Sequence, residues 1–165
     1  MNYNEELDKE ERKYLSAYRI VSPKWVDDAF SSEGARLNGG RWNSPGRAVV
    51  YLGGSRALAA LEMLVHLTSP LTRAMPYRII EVKIPRDLVA NYPLSILHKD
   101  WRESPVSKLS QEIGDDWINA AGQLAIMAPS VLIPEETNIL LNPHHPDFKK
   151  IQISEAKEFS FDKRL

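Results

Sequence analysis

An α+β fold, with a mixed, mostly antiparallel sheet and flanking helices, is predicted by two observations. Strand-like segments outnumber helix-like ones. Their spacing also does not follow the regular alternation that βαβ winding requires. The chain has 165 residues, no internal repeat and no Gly/Ser- or Pro-rich linker. It therefore reads as a single domain spanning residues 1–165, with a polar segment at 1–15 and C-terminal strands over about 149–165.

The elements follow in order. Residues 4–15 carry mixed charge around Leu7 and Leu15 and suit a short surface helix capped by Asn4. Tyr18 to Val21 reads as a short strand closed by Pro23. Residues 31–47 are rich in Gly, Ser, Asn and Pro and read as a long loop, a length associated with function. Ala48 to Leu52 is a strand, broken by Gly53-Gly54, with Ser55 placed to cap a helix over about 56–67. Leu58, Leu61, Leu64 and Val65 fall on one face of that helix. Tyr77 to Ile84 is the strongest strand. Residues 85–106 look irregular. Residues 107–127 read as one or two helices interrupted near Gly114. Ser130–Ile133 and Asn138–Leu141 read as a strand pair, and the Ile151/Ile153 and Phe159/Phe161 alternation suggests two more strands.

Composition removes several classes of function. Without cysteine there is no disulfide scaffold, no thiolate metal site and no cysteine nucleophile. No run of 18 apolar residues exists to span a membrane. The start, MNYNEELDKEERK, is polar rather than signal-like, so a cytoplasmic location is expected. With 21 basic and 22 acidic residues the net charge is −1, so direct nucleic-acid binding is not expected. The histidines make no metal set: His144 and His145 are adjacent, and Glu62 with His66 offers two ligands at most.

The densest polar cluster is Gly39-Gly40-Arg41-Trp42-Asn43-Ser44. Paired glycines allow positive φ and close approach to the backbone, and Arg41 offers a planar fork suited to phosphate or carboxylate. On spacing alone the segment reads rather as a tight turn with a surface Arg and a core Trp, since Gly-rich loops are commonest as turns. Glu62 lies at the border of an apolar helix face, where partial desolvation suits electrostatic or acid/base work. The plain alternative is an exposed Glu paired with His66 or Arg56. Ser130, after Ala128-Pro129, reads by itself as a turn residue.

Taken together in order, Tyr18-Arg19-Ile20, Gly39-Gly40-Arg41-Trp42-Asn43, Val50-Tyr51-Leu52, Ala59-Ala60-Leu61-Glu62, Pro129-Ser130-Val131, Asn138, Asn142-Pro143 and His145-Pro146 resemble the RES-domain family. That resemblance covers about residues 18–148. It implies an ADP-ribosyltransferase-like fold and the toxin of a type II toxin–antitoxin pair. Such an enzyme consumes NAD⁺ as substrate by cleaving the nicotinamide–ribose bond, through hydrolysis, phosphorolysis or ADP-ribosyl transfer, with no cofactor or metal. It also implies an Xre-like antitoxin that blocks the active site in an oligomeric complex. The catalytic roles fall on Glu62, Arg41 and Ser130, and NAD⁺ binding on Arg19, Arg41, Tyr51 and Ser130. Both arginines would clamp the pyrophosphate, Tyr51 would stack on nicotinamide, and Ser130 would bond the ribose or carboxamide. The competing reading is a nucleotide-binding or partner-binding module without turnover.

Overall fold

The computed structural model describes Lys9 and residues 12–165. The helix expected over residues 4–15 lies largely outside them, and by Tyr14 the chain is already in a strand. β1 (Tyr14–Val21) pairs antiparallel along its whole length with β3 (Tyr77–Pro85). The other strands are β2 (Val50–Gly53), β4 (Val89–Asn91), β5 (Ala125–Pro129), β6 (Thr137–Leu141), β7 (Gln152–Ile153) and β8 (Lys157–Phe159). They lie in the order β4–β5–β6–β2–β1–β3–β7, with β8 also on β3. β4 and β5 run parallel and the other pairs antiparallel. The helices α1 (Glu33–Asn38), α2 (Arg56–Leu64), α3 (Pro70–Arg73) and α4 (Lys108–Ala120) flank the sheet. The expected mixed, mostly antiparallel α+β architecture is the one present.

The central strands are apolar on both faces because both faces are covered. Along β6, Ile139 and Leu141 join Val50, Leu52, Val82 and Ile84 in one core cluster. Leu140, between them, points to the opposite cluster with Ile126, Trp42, Trp101 and Trp117. All three β6 side chains are fully buried. Each such burial stabilises by about 1.5–3 kcal/mol before the entropy of ordering is counted. α2 begins where Ser55 Oγ accepts the Leu58 amide at 3.0 Å, the expected cap.

Several elements differ from the sequence expectation. The loop expected over 31–47 contains α1, and the irregular stretch 85–106 contains β4. α2 ends at Leu64 rather than Leu67. The strand expected at Ser130–Ile133 is a turn. Its apolar strand is Ala125–Pro129, a run that the sequence reading joined to the preceding helix. α4 passes unbroken through Gly114. That glycine is there for packing, because a Cβ would overlap the Trp42 carbonyl oxygen.

Gly114→Ala should therefore reverse the usual helix preference. An exposed Gly→Ala change inside a helix gains about 1 kcal/mol. Here a loss of about 1–3 kcal/mol is expected from the overlap with backbone, read as a lower urea midpoint at unchanged m-value.

Candidate active site

A row of residues crosses the sheet in register. Glu81 on β3 stands opposite Tyr18 on β1, Tyr18 opposite Gly53 on β2, Gly53 opposite Asn138 on β6, and Asn138 opposite Ala128 on β5. At its centre Gly53 presents no side chain. A Cβ there would stand 2.5 Å from the Ala59 nitrogen, so the glycine lets α2 settle directly on the sheet. Glu62, three residues beyond Ala59, is thereby lowered onto Asn138.

The Glu62 carboxylate is held by one oxygen. Ser130 Oγ donates to Oε1 at 2.8 Å and Asn138 Nδ2 donates to the same Oε1 at 2.5 Å. Among the described residues Oε2 makes no hydrogen bond. Glu62 is thus neither a freely exposed side chain nor a partner of Arg56. Arg56 instead stacks on the Tyr18 ring, and bonds the Tyr18 hydroxyl at 3.2 Å and Glu81 at 3.1 Å.

Ser130 is fully buried, and its hydroxyl is fully engaged. Besides donating to Glu62, it accepts the amides of Leu132 at 3.1 Å and Ile133 at 3.2 Å. A hydroxyl has one hydrogen and two lone pairs, so none remains for a ligand. In this structure the Ser130 hydroxyl holds Glu62 and closes the turn that follows it.

The two expected arginines are each anchored to backbone carbonyls. Arg19 Nη1 donates to the Tyr51 carbonyl at 2.8 Å, and burial lowers its pKa from the ordinary guanidinium value. Arg41 Nη1 donates to the carbonyls of Trp101 at 2.6 Å and Glu103 at 3.1 Å. Burial lowers the Arg41 pKa and the charge of Glu62 opposes that shift, so the two groups sense each other. With Nη1 occupied, Nε and Nη2 of Arg41 remain for an anion.

Tyr51 is pinned at its hydroxyl, which donates to Asn43 Oδ1 at 2.6 Å and accepts the Trp42 amide at 3.1 Å. Burial pushes that hydroxyl well above its ordinary pKa, against the Trp42 amide, which alone would lower it. The ring is held neutral and fixed.

Two cavities meet at Glu62. The smaller, about 300 Å³, is lined by Tyr18, Arg19, Tyr51, Glu62, Met63 and Asn138 among others. The larger, about 810 Å³, is lined by Gly39, Gly40, Arg41, Tyr51, Glu62 and Asn138 among others. Arg19 lines the first and Arg41 the second, while Tyr51, Glu62, His66 and Asn138 line both. Among the described residues no cluster of three His, Asp or Glu side chains could hold a metal ion. His145 caps a turn instead, its Nδ1 accepting the Asp147 amide at 3.1 Å and its Nε2 meeting the Ala121 carbonyl at 3.0 Å.

Asn138 is the site residue to which sequence reasoning gave no role. Its signal was an amide side chain opening the apolar strand Asn138-Ile139-Leu140-Leu141, on a strand otherwise buried on both faces. His66, one turn after Glu62, also lines both cavities.

The chain matches the family model described as the RES domain over residues 16–162. The Prs ADP-ribosylating toxin of Sphingobium sp. (strain YBL2) is 38% identical over 144 residues, covering 84% of this chain and 87% of that protein. Toxin Res of Photorhabdus laumondii is 34% identical over 149 residues, covering 90% and 95%. Among solved structures, the MbcT–MbcA toxin–antitoxin complex of M. tuberculosis contains a chain that superposes with a TM-score of 0.71. It is 18% identical, over 96% of this chain and 93% of that one, which shows a shared fold. No helix among the described residues is long and apolar enough to cross a membrane. The match across nearly the whole chain, with relatives above 30% identity, establishes that this protein belongs to the RES-domain family.

Proposed function

We propose that this protein is a toxin that consumes NAD⁺ by breaking the bond between nicotinamide and ribose. The observation that carries the reading is the Glu62 carboxylate, clamped at Oε1 by Ser130 and Asn138 at the junction of two cavities, with Arg41 in the larger. The names of the relatives, a toxin called Res and an ADP-ribosylating toxin, point the same way.

The chemistry follows from the charges. When the C1′–N bond breaks, its electron pair leaves with the ring nitrogen and neutralises the nicotinamide. The ribose is left as an oxocarbenium-like cation. A fixed carboxylate beside it stabilises that charge most as it develops, which is where stabilisation accelerates a reaction. Oε1 is committed to two donors, so Oε2 is the oxygen available to the sugar. The spare donors of Arg41 take the pyrophosphate, and the fixed ring of Tyr51 orients the base. Water, inorganic phosphate or a protein side chain then captures C1′, and identifying the product by mass spectrometry decides among them. As an NAD⁺ consumer the protein acts in the cytoplasm, where an Xre-like antitoxin covers the cavities and assembles with it as an oligomer.

Nicotinamide release from NAD⁺ by the antitoxin-free protein tests the reading. No release with water, phosphate and candidate protein acceptors all supplied defeats it. Glu62→Gln keeps the shape and an acceptor for both donors but removes the charge. It should lower turnover about 10²–10⁴-fold while Tm stays within a few degrees. Ser130→Ala frees Glu62 from one side, and a fall in kcat of about 10²-fold is expected, with KM little changed. Arg41→Lys keeps the charge and loses the fork. It should raise KM about tenfold or more in the same assay.

A further inference from the structure

We infer that the smaller cavity is the seat of the nicotinamide ring, and that Arg19 and Asn138 recognise its carboxamide between them. The inference rests on the NAD⁺ reading above and adds which half of the molecule goes where.

Size and charge divide the site. The scissile bond must lie beside Glu62, and both cavities reach Glu62. The larger holds Arg41 and the Gly39-Gly40 backbone, which suits the phosphate-bearing half. The smaller suits a single aromatic ring, with Tyr18 and Tyr51 in its lining and the apolar Ile20, Leu52 and Met63 around them.

The polar groups of the smaller cavity then identify the ring's substituent. Among the described residues four buried side-chain atoms lack a hydrogen-bond partner, and two of the four are on residues that line this cavity: Arg19 Nε, a donor, and Asn138 Oδ1, an acceptor. An unpaired buried polar atom is costly, so such groups are retained where a partner arrives. The amide of Asn138 is oriented by Glu62. Its Nδ2 is drawn to the carboxylate, so the acceptor end is the one left over. Arg19 is fixed likewise through Nη1 on the Tyr51 carbonyl. A donor without an acceptor and an acceptor without a donor complement a primary carboxamide, which brings one carbonyl oxygen and two N–H groups. Asn138 thereby joins the two halves of the site: one end of its amide holds the carboxylate, the other reads the leaving group.

The test compares NAD⁺ with two analogues. In one an acetyl group replaces the carboxamide, keeping the acceptor and removing the donors. In the other a carboxylate does. A site built to hydrogen-bond a substrate N–H rejects analogues that lack it. Wild-type protein should therefore show kcat/KM at least about tenfold lower for each analogue. Asn138→Ala also loosens Glu62, but that loss strikes all three substrates and cancels in the ratio. The ratio itself should fall to about two- to threefold, because the acceptor is gone. If the alanine variant does not fold, Asn138→Ser, whose shorter side chain draws its hydroxyl back from the position of the amide oxygen, gives the same comparison. Equal use of the three by wild type, or a preference that survives loss of Asn138, overturns the assignment. If wild type cleaves none of them, it is the NAD⁺ reading that fails, and the cavity is judged by free nicotinamide against 3-acetylpyridine in thermal shift. A rise in Tm with nicotinamide alone, lost in the Asn138 variant, supports the assignment, and no rise overturns it.

Discussion

One oxygen of Glu62 receives two hydrogen bonds, and much of the molecule is arranged so that it can. A carboxylate on the sheet-facing side of an apolar helix loses solvation, and it is tolerable there only if donors replace the lost water. Ser130 and Asn138 supply them from the end of β5 and the start of β6, adjacent strands whose register sets Asn138 opposite Ala128. The approach is close because Gly53 has no side chain to hold α2 away. Each donor is fixed in turn. Ser130 is locked by two backbone amides of the following turn, and Asn138 sits in a strand paired on both sides. Rigid secondary structure therefore aims the carboxylate, which is the condition under which a fixed charge stabilises a transition state better than water does.

Much of this was legible in the sequence because its signals were local. The Ser55 cap and the β3 pattern depend on residues a few positions apart and appear where expected, whereas of the expected α2 face Leu58 is buried and Val65, past the helix end, is exposed. The gathering of Arg19, Arg41, Tyr51, Glu62 and Ser130 around one place was reached through resemblance to a family, since nothing in their spacing brings them together. What could not be read were contacts set by strand register. Asn138 owes its role to standing beside Gly53, a pairing across 85 positions of sequence that periodicity does not encode. Gly114 was misread because its partner, the Trp42 carbonyl, lies on a loop distant in sequence. The Ala125–Ala128 run was assigned to a helix because four apolar residues in a row suit either a buried strand or a buried helix. Burial on both faces decided it.

Arg19 and Arg41 are alike in charge and opposite in situation. Both have carbonyls on Nη1, which holds the guanidinium in place without neutralising it. Arg41 retains donors beside a large cavity and feels the charge of Glu62 across it. Arg19 is nearly enclosed, and its burial disfavours the charged form. A guanidinium kept charged against that penalty strengthens every interaction it makes, because the medium around it screens little. Placing the cation of Arg19 near the departing base has a further consequence. On the proposed reading the base arrives as a pyridinium and leaves neutral, so a fixed positive charge close by opposes the bound cation and not the product.

The fold thus separates two demands that conflict. A site for charge development should be rigid, and a site that must release a product should not hold it too well. Rigidity here lies in the sheet row and in the α2 helix pressed on Gly53. The network of Arg56, Glu81 and Tyr18 extends that row to β3 and stiffens the wall of the smaller cavity from behind. Within that cavity the apolar surface is modest, and the polar atoms without partners are few. On the proposed NAD⁺ reading, tight binding of the dinucleotide falls to the larger cavity, so that affinity resides in the half that is kept and orientation in the half that departs.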